Sequence, residues 1–553
     1  MNATQPHIAP PERTLATLGT THPRTVAAFE AMDASKQLEA IIALDERWSA
    51  LEMGHTTADL HSQVETLPRC DGEWDLIYAG GGLGLIHALV MQRHGYRVLV
   101  FDRDRVGRAH REWNISDTEL QALVDLGIFA ADELHHIVAH RHERGVVRFH
   151  NAAISVPPAE LWMAGVLDVS LDAAELLRRV RVKFEAAGGT VLDHRTLRSV
   201  RAAPGAVAVE VTDTEGTTQW LRARLLLDAL GATSPLAIQR HRGRPFAGVC
   251  PTVGSVISGL ERGSQPGQHD SSVGDILISV ADAQRGQQFI WEGFAGRDDQ
   301  LTVYLFYYDR IGPAYGVHSL LDLFEDYFAL LPTYKRPGNH FQHHKPVYGF
   351  IPARHTERRN TAPLLRGVLP VGDAAAQQSP LTFTGFGSHV RNLARTTSLL
   401  SYALRWELLE PHWLQHISAY QSNVALHWVF SRFMHPWQEP NTVNQLQNVF
   451  ARVLNELGTP VAERFFKDQM RWSDYGRIVN HTLRVYQPII STALTVLGPR
   501  DTLRWIVDYG RFTQSAMAAA VGRRLGTWGW HGLERIVERI HPGWSLVLRS
   551  RYT

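Results

Sequence analysis

Cysteine is nearly absent from the 553 residues: Cys70 and Cys250 are the two, with no Cys-x-x-Cys pair. That excludes a disulfide framework and a cysteine-built zinc site, and it fits a reducing compartment. Net charge is lacking too, since 56 Lys plus Arg stand against 55 Asp plus Glu. Such a balance offers no global basic field for nucleic acid and no acidic disordered signature. No uninterrupted apolar run of 18 or more residues occurs, and residues 1–19 lack the basic-then-apolar pattern of a secretion signal. A cytoplasmic chain with no signal peptide and no transmembrane helix is expected. The histidines at 135, 136, 140, 142 and 150, and at 340, 343 and 344, do not form a helical ligand pair with a third carboxylate, so no metal is expected. What is present is the composition of a folded protein, 44% hydrophobic, at a length that calls for two or three subdomains.

The most informative stretch is 74–102, WDLIYAGGGLGLIHALVMQRHGYRVLVFD. A short apolar strand at 75–78 breaks into Gly80-Gly81-Gly82-Leu83-Gly84, a helical pattern follows, and a second strand at 97–101 ends on Asp102. This is a βαβ unit that ends on an acid. Its glycines let the backbone approach a pyrophosphate, and the N–H groups and dipole of the helix start attract phosphate charge. Asp102 is expected to accept hydrogen bonds from ribose hydroxyls. In the x-x-Gly-x-x-Gly register the glycines are Gly81 and Gly84, and Ala79 replaces the first glycine. The unit predicts a bound nucleotide without saying which.

Around it, residues 1–73 read as a helical extension packed on the nucleotide domain. After Glu112-Trp113-Asn114-Ile115-Ser116, a loop near the nucleotide, Ser116 is placed to cap a helix at 117–126. A helix at 175–187 stops at Gly188-Gly189 and gives way to a meander of strands at 197–201, 207–211 and 220–227. The last strand runs into Asp228-Ala229-Leu230-Gly231-Ala232-Thr233-Ser234-Pro235, either a second pass of backbone beside the cofactor or an ordinary hairpin exit. A β-rich layer follows, with strands at 276–281, 287–294 and 301–308 whose aromatic residues make either a wall for an apolar substrate or core. At 368–394 a strand ends on Gly372-Asp373, a loop passes Pro380, and Gly385-Phe386-Gly387 opens a helix to about 404. Asp373 can bond a polyol chain, and the helix N-terminus can stabilise the anionic N1–C2=O edge of a reduced flavin. NAD needs no such element. Beyond 401 the pattern is helical, and its interleaved Trp and Arg residues, as at 501–521, suit a membrane interface or a cap over the substrate domain.

The Ala-x-Gly-x-x-Gly turn with Asp102, the segment from Asp228 through Gly231 to Ser234-Pro235, and Gly372-Asp373-Ala374-Ala375 with Pro380 and Gly385-x-Gly387 resemble the three FAD segments of the flavoprotein hydroxylase fold. More narrowly, the chain is similar to lycopene cyclases of the CruA/CruP type. The likeness rests on Gly81-Gly82-Leu83-Gly84, Glu112 to Ser116, Trp291-Glu292 with Phe294, and Gln378-Ser379-Pro380 with Gly385-Phe386-Gly387-Ser388, from about 74 through the C-terminal helices. The resemblance implies an α/β fold: a three-layer, hydroxylase-like Rossmann-type FAD-binding domain, a β-rich substrate domain and a helical C-terminal region. The corresponding division is a helical extension at 1–73, FAD-binding parts at 74–240 and 351–405, the substrate domain at 241–350, and a membrane-associating or cap region at 406–553.

It also implies FAD, active in its reduced form with NAD(P)H as electron donor. The residues it assigns to the cofactor are Gly81, Gly82, Leu83, Gly84, Asp102, Arg103, Arg111, Gly231, Gly372, Asp373, Pro380, Gly385, Phe386 and Gly387. The substrate is a linear carotene lying against Trp291, Phe294 and Trp113, taken from the cytoplasmic side of a membrane that the protein meets peripherally. The reaction is cyclisation of the carotene's ψ end without net redox change, and it needs an acid that protonates a C=C bond. Glu292, on an aromatic strand, is the first candidate and Glu112, beside Trp113, the second. The Phe-Leu-Glu-Glu-Thr acid motif of the plant-type branch has no counterpart, since Tyr304-Leu305-Phe306-Tyr307-Tyr308 stands there. A monooxygenase or polyprenyl reductase on the same fold, and a flavoprotein that cyclises nothing, are the alternative readings.

Overall fold

The computed structural model describes residues 15–54, 59–109, 112–151, 156–243, 246–312, 315–354, 363–376, 381, 385–418 and 422–552. Its first sheet is built on the strand Gly72–Ala79, which lies in parallel between Val98–Phe101 and Thr218–Asp228. A parallel strand covered on both faces needs a near-continuous apolar run, and Leu76, Ile77, Tyr78 and Ala79 are fully buried. The helix Leu83–Arg93 makes the crossover between the first two strands. The meander appears as Thr196–Ala203, Ala206–Thr212 and Thr218–Asp228, and the helix before it as Ala173–Ala186. Val368–Pro370 pairs in parallel with the end of the last meander strand. Asp228 is thereby in register with Ala79 on one side and Pro370 on the other. Three strands finish side by side, at the edge where open α/β sheets bind ligands.

The second sheet holds Val273–Ile278, Ile290–Ala295 and Leu301–Phe306, together with the long strands Gly248–Leu260 and Pro337–Ala353. Two strands from earlier in the chain, Arg144–Arg148 and Glu160–Met163, complete it, so the second sheet also draws on residues inside the 74–240 span. Side chains alternate across this sheet. Trp291, Val303 and Leu305 face its back, whereas Ile290, Phe294, Tyr304 and Phe306 face its front.

The back is covered by the helix Leu320–Tyr334 and, against expectation, by the N-terminal helices Pro23–Ala31 and Lys36–Glu52. Phe29 meets Phe324 edge-on at 5.1 Å, and Asp45 accepts bonds from the Ser319 hydroxyl and the Leu320 N–H. Amphipathic spacing gave these helices an apolar face but not its partner. The first sheet already has one face under the helices Leu83–Arg93, Ala173–Ala186 and Gly385–Arg405, which share its core. The C-terminal helices Ser422–Arg432, Thr442–Leu457, Thr459–Phe466 and Trp472–Val485 cap the front of the second sheet. A 52-residue helix, Ile489–Ile540, follows, and Pro542–Tyr552 folds back onto Gly385–Arg405, with Arg549 4.2 Å over the Tyr402 ring. Among the described residues no helix is long and apolar enough to cross a membrane.

Candidate functional site

A cavity of about 480 Å³ lies between the two sheets, bounded at one end by Gly82 and Leu83 and at the other by Thr252, Glu292 and Tyr304. The first end is built from backbone. Gly80 holds φ +107°, and a Cβ there would lie 2.3 Å from the Ala229 carbonyl oxygen. A Cβ on Gly84 would lie 2.7 Å from that of Ala229. Two distant segments therefore touch only because these positions carry no side chain. The second pass of backbone, 228–234, is real and lines the cavity through Gly231. Its turn is fixed by Asp228, fully buried, which accepts bonds from the Ser234 hydroxyl at 2.7 Å and the Leu230 N–H at 3.2 Å. Burial pushes the Asp228 carboxyl up to about 6 against the pull of those bonds, and pushes neighbouring Arg240 down to about 10.

Among the expected cofactor residues, Gly82, Leu83, Gly231, Gly372, Asp373, Gly385 and Phe386 line the cavity. Gly81 and Gly84 stand just behind it and pack on Val106 and Ala229. Asp102, expected at a ribose, does not line it. Its carboxylate accepts the Gly81 N–H at 2.8 Å and the Asp104 N–H at 3.0 Å, so it stiffens the glycine turn. Arg103 is likewise outside the lining. Arg111 and Pro380 lie outside the described residues.

The start of the helix Gly385–Arg405 is fastened to the segment after Glu112. Trp113 and Phe386 pack ring to ring at 4.5 Å, and both line the cavity. Glu119 sits against Gly387, where an added Cβ would come within 2.4 Å of its carboxylate. That carboxylate accepts the Ser116 N–H at 3.0 Å in the capping box of the helix Asp117–Asp125 and pairs with Arg391. Sequence reading named Ser116 but missed Glu119, whose signal was its place three residues past the cap.

The far end is built from side chains. The cavity's carboxylates are Glu112, Glu292 and Asp373. Glu292 is only 7% exposed and lies across from Tyr304 on the neighbouring strand. Glu112 is already engaged, by Lys345 at 2.8 Å and by the Thr302 hydroxyl at 3.1 Å. Trp291, expected in the substrate wall, points to the back of the sheet and stacks on Tyr334 at 4.9 Å, because neighbours on a strand take opposite faces. Phe294 shares the face of Glu292 but packs in core near His142, 5.7 Å away, and does not line the cavity. The aromatic lining comes instead from Trp113, Phe246, Tyr304, Phe350 and Phe386. Several of the clustered histidines make local bonds, His140 to the Ser271 carbonyl at 2.7 Å and His142 to the Ser170 hydroxyl at 3.2 Å.

No family model matches the chain, and no curated protein matches it in sequence. Its fold, however, recurs among solved structures. A geranylgeranyl bacteriochlorophyll reductase-like protein from Thermoplasma acidophilum aligns with a TM-score of 0.54 at 15% identity, over 77% of this chain and 99% of that one. The halogenase PltM, solved in complex with phloroglucinol and FAD, aligns with a TM-score of 0.52 at 11% identity, over 87% of this chain and 99% of its own. The α/β architecture described above, with its β-rich second layer and helical C-terminal region, is the fold these solved structures share.

Proposed function

We propose that the chain is an FAD-dependent enzyme that acts on an apolar isoprenoid chain, and within that class a lycopene cyclase of the CruA/CruP type. The observation that carries this reading is Glu292: a carboxylic acid, buried, on the front of an apolar sheet, at the end of the cavity opposite the glycine turn. FAD suits the residues present. The helix start after Gly82 offers N–H groups to a pyrophosphate, Asp373 offers an acceptor to a polyol, and the start of Gly385–Arg405 offers a positive dipole end to a ring edge. When bound in its reduced form, with NAD(P)H as the electron donor, FAD supplies negative charge beside a developing cation.

The chain's own residues do the rest. Glu292, buried across from Tyr304 on this wall, is the group that would hand a proton to the terminal C=C of the carotene. Ring closure then leaves a tertiary cation, which the faces of Tyr304, Phe350, Trp113 and Phe386 shield from water. Loss of a proton completes the ring, and no electrons are gained or lost. Glu112, held by Lys345 and by the Thr302 hydroxyl, is the second candidate.

Expression in a lycopene-accumulating bacterial host tests this reading, with cyclic carotene as the expected product. Unchanged lycopene beside protein that carries FAD would sink it. A polyprenyl reductase is the second reading, favoured by the isoprenoid named for the Thermoplasma protein of like fold. Stoichiometric NADPH consumption on adding substrate distinguishes it.

The substrate class calls for contact with a membrane surface, on its cytoplasmic side, and the long helix Ile489–Ile540 supplies a means. Leu503, Ile506, Val507, Met517, Val521, Ile536 and Ile540 are exposed along it, beside Arg504, Arg511, Arg523, Arg524, Arg535 and Arg539. Apolar and basic side chains exposed together in this way would let the helix rest against anionic headgroups. Co-sedimentation with anionic vesicles, lost when several of these apolar residues become Ser, is the expected result.

A further inference from the structure

The long strand Pro337–Ala353 ends by delivering Arg354 to the cavity wall. The guanidinium carbon lies 4.0 Å from the centroid of the Phe246 ring. Phe246 is backed by Trp48 at 5.7 Å, and Trp48 also stacks on Phe350 at 4.7 Å. Phe246 and Phe350 line the same cavity as Arg354. Trp48 belongs to the N-terminal helix Lys36–Glu52, so a segment outside both sheets buttresses this wall. A guanidinium held over a ring loses less freedom when it binds a further group.

Arg354 Nη2 is packed inside the wall and, among the described residues, has no hydrogen-bond partner. The charge that acts on it is another cation, Arg240, and burial with that repulsion lowers its pKa to about 10. Asp228, the carboxylate beside Arg240, is already bonded to Ser234 and to the Leu230 N–H. A partly buried cation in a cavity wall without a counter-charge is costly, and it persists where a ligand brings that charge.

We propose that Arg354, held in the cavity wall by Phe246 with Trp48 behind it, is the contact for a phosphate group of the bound ligand. A planar fork of donors matches phosphate oxygens. The inference deepens the FAD reading and rests on it for the identity of the ligand, but the phosphate contact can be measured separately. Two sources share this chemistry: the pyrophosphate of FAD and the phosphates of NADPH.

The test compares wild type, R354Q and R354K, stripped of flavin, in titrations with FAD, riboflavin, NADPH and inorganic pyrophosphate. For R354Q the FAD dissociation constant is expected to rise on the order of 10- to 100-fold, the size of a lost hydrogen bond to a charged group. Riboflavin, which has no phosphate, should bind as to wild type, and R354K should fall between the two. The ligand-free R354Q protein should melt no lower than wild type, because the substitution removes an unsatisfied buried cation. A fall in that melting temperature with FAD affinity unchanged would mark Arg354 as structural and overturn the proposal. Weakened NADPH with unchanged FAD would assign the phosphate to the second nucleotide and uphold the contact. Equal binding of FAD, NADPH and pyrophosphate to R354Q and wild type would overturn it. If wild type binds pyrophosphate in an Arg354-dependent way but no FAD, the cofactor reading falls and the phosphate contact stands.

Discussion

The two ends of the cavity are made of different material. At the nucleotide end the work is done by main chain: Gly80 and Gly84 let residues 79–84 touch Ala229, and Asp102 and Asp228 spend their carboxylates on N–H and hydroxyl groups of the turns. At the substrate end it is done by side chains chosen by strand alternation, with Glu292 in front and Trp291 behind. Backbone sites depend on a few glycines in fixed order and are specific about phosphate. Side-chain sites can change chemistry by one substitution while the scaffold stays as it is.

That contrast can be broken at either end. Replacing Glu292 by Gln should leave FAD bound while turnover falls about 10²- to 10⁴-fold, the range for removing a positioned acid. Loss of flavin in that variant, read from its absorbance, would show that the two ends are not separable. The next effect is on stability. His318 lies between Glu52 of the N-terminal helix at 2.5 Å and Asp309 at 3.0 Å, and His435 approaches the same Asp309 at 3.2 Å. Burial alone would lower the His318 pKa, but the bonds to Asp309 and Glu52 prevail and raise it to about 9. A folded-state pKa above the unfolded value of about 6.5 means stabilisation that is complete below pH 6.5 and lost as pH rises through about 9. Its size is on the order of 3 kcal/mol. Thermal melts between pH 6.5 and 9.5 should show this fall, and H318Q should flatten it.

At the nucleotide end, Asp373→Ala should lose FAD and with it the stabilisation of a bound ligand, about 2.7 kcal/mol at 100 times its dissociation constant. Unchanged flavin content would remove Asp373 from the site. The smallest effect sharpens the seam between the ends. Glu119→Gln weakens the Arg391 pair and the brace behind Gly387 by about 2 kcal/mol. Its readout is the midpoint potential of the bound flavin, which should rise as Arg391 loses its counter-charge near the start of Gly385–Arg405. A potential equal to that of wild type would leave Glu119 as a helix cap alone.

The nucleotide end was the more legible in sequence, because turn glycines and strand-to-turn order are local properties of 74–102 and 228–235. Ser116 and the meander strands were readable for the same reason. Placement across long distances was not. Amphipathic spacing in 23–52 announced an apolar face, but not that it would cover the back of the substrate sheet. The strands Arg144–Arg148 and Glu160–Met163 carry nothing local that assigns them to the second sheet. Trp291 and Glu292 were rightly placed on a strand, yet which of the two faced the cavity depended on what lay on either side. Arg354 had no signal at all, since its role comes from Phe246 and Trp48, far away in the chain.

The register of Asp228 with both Ala79 and Pro370 has a bearing on how the protein is made. The strand between them is synthesised long before the strand that completes its edge, and the helix Gly385–Arg405 comes later still. Until that point the nascent chain holds an open sheet edge and a glycine turn without its far wall, a state prone to wrong pairing. Closure of that edge therefore waits for residues 385–405 to emerge from the ribosome, and a chain released earlier should be a substrate for chaperones and proteases.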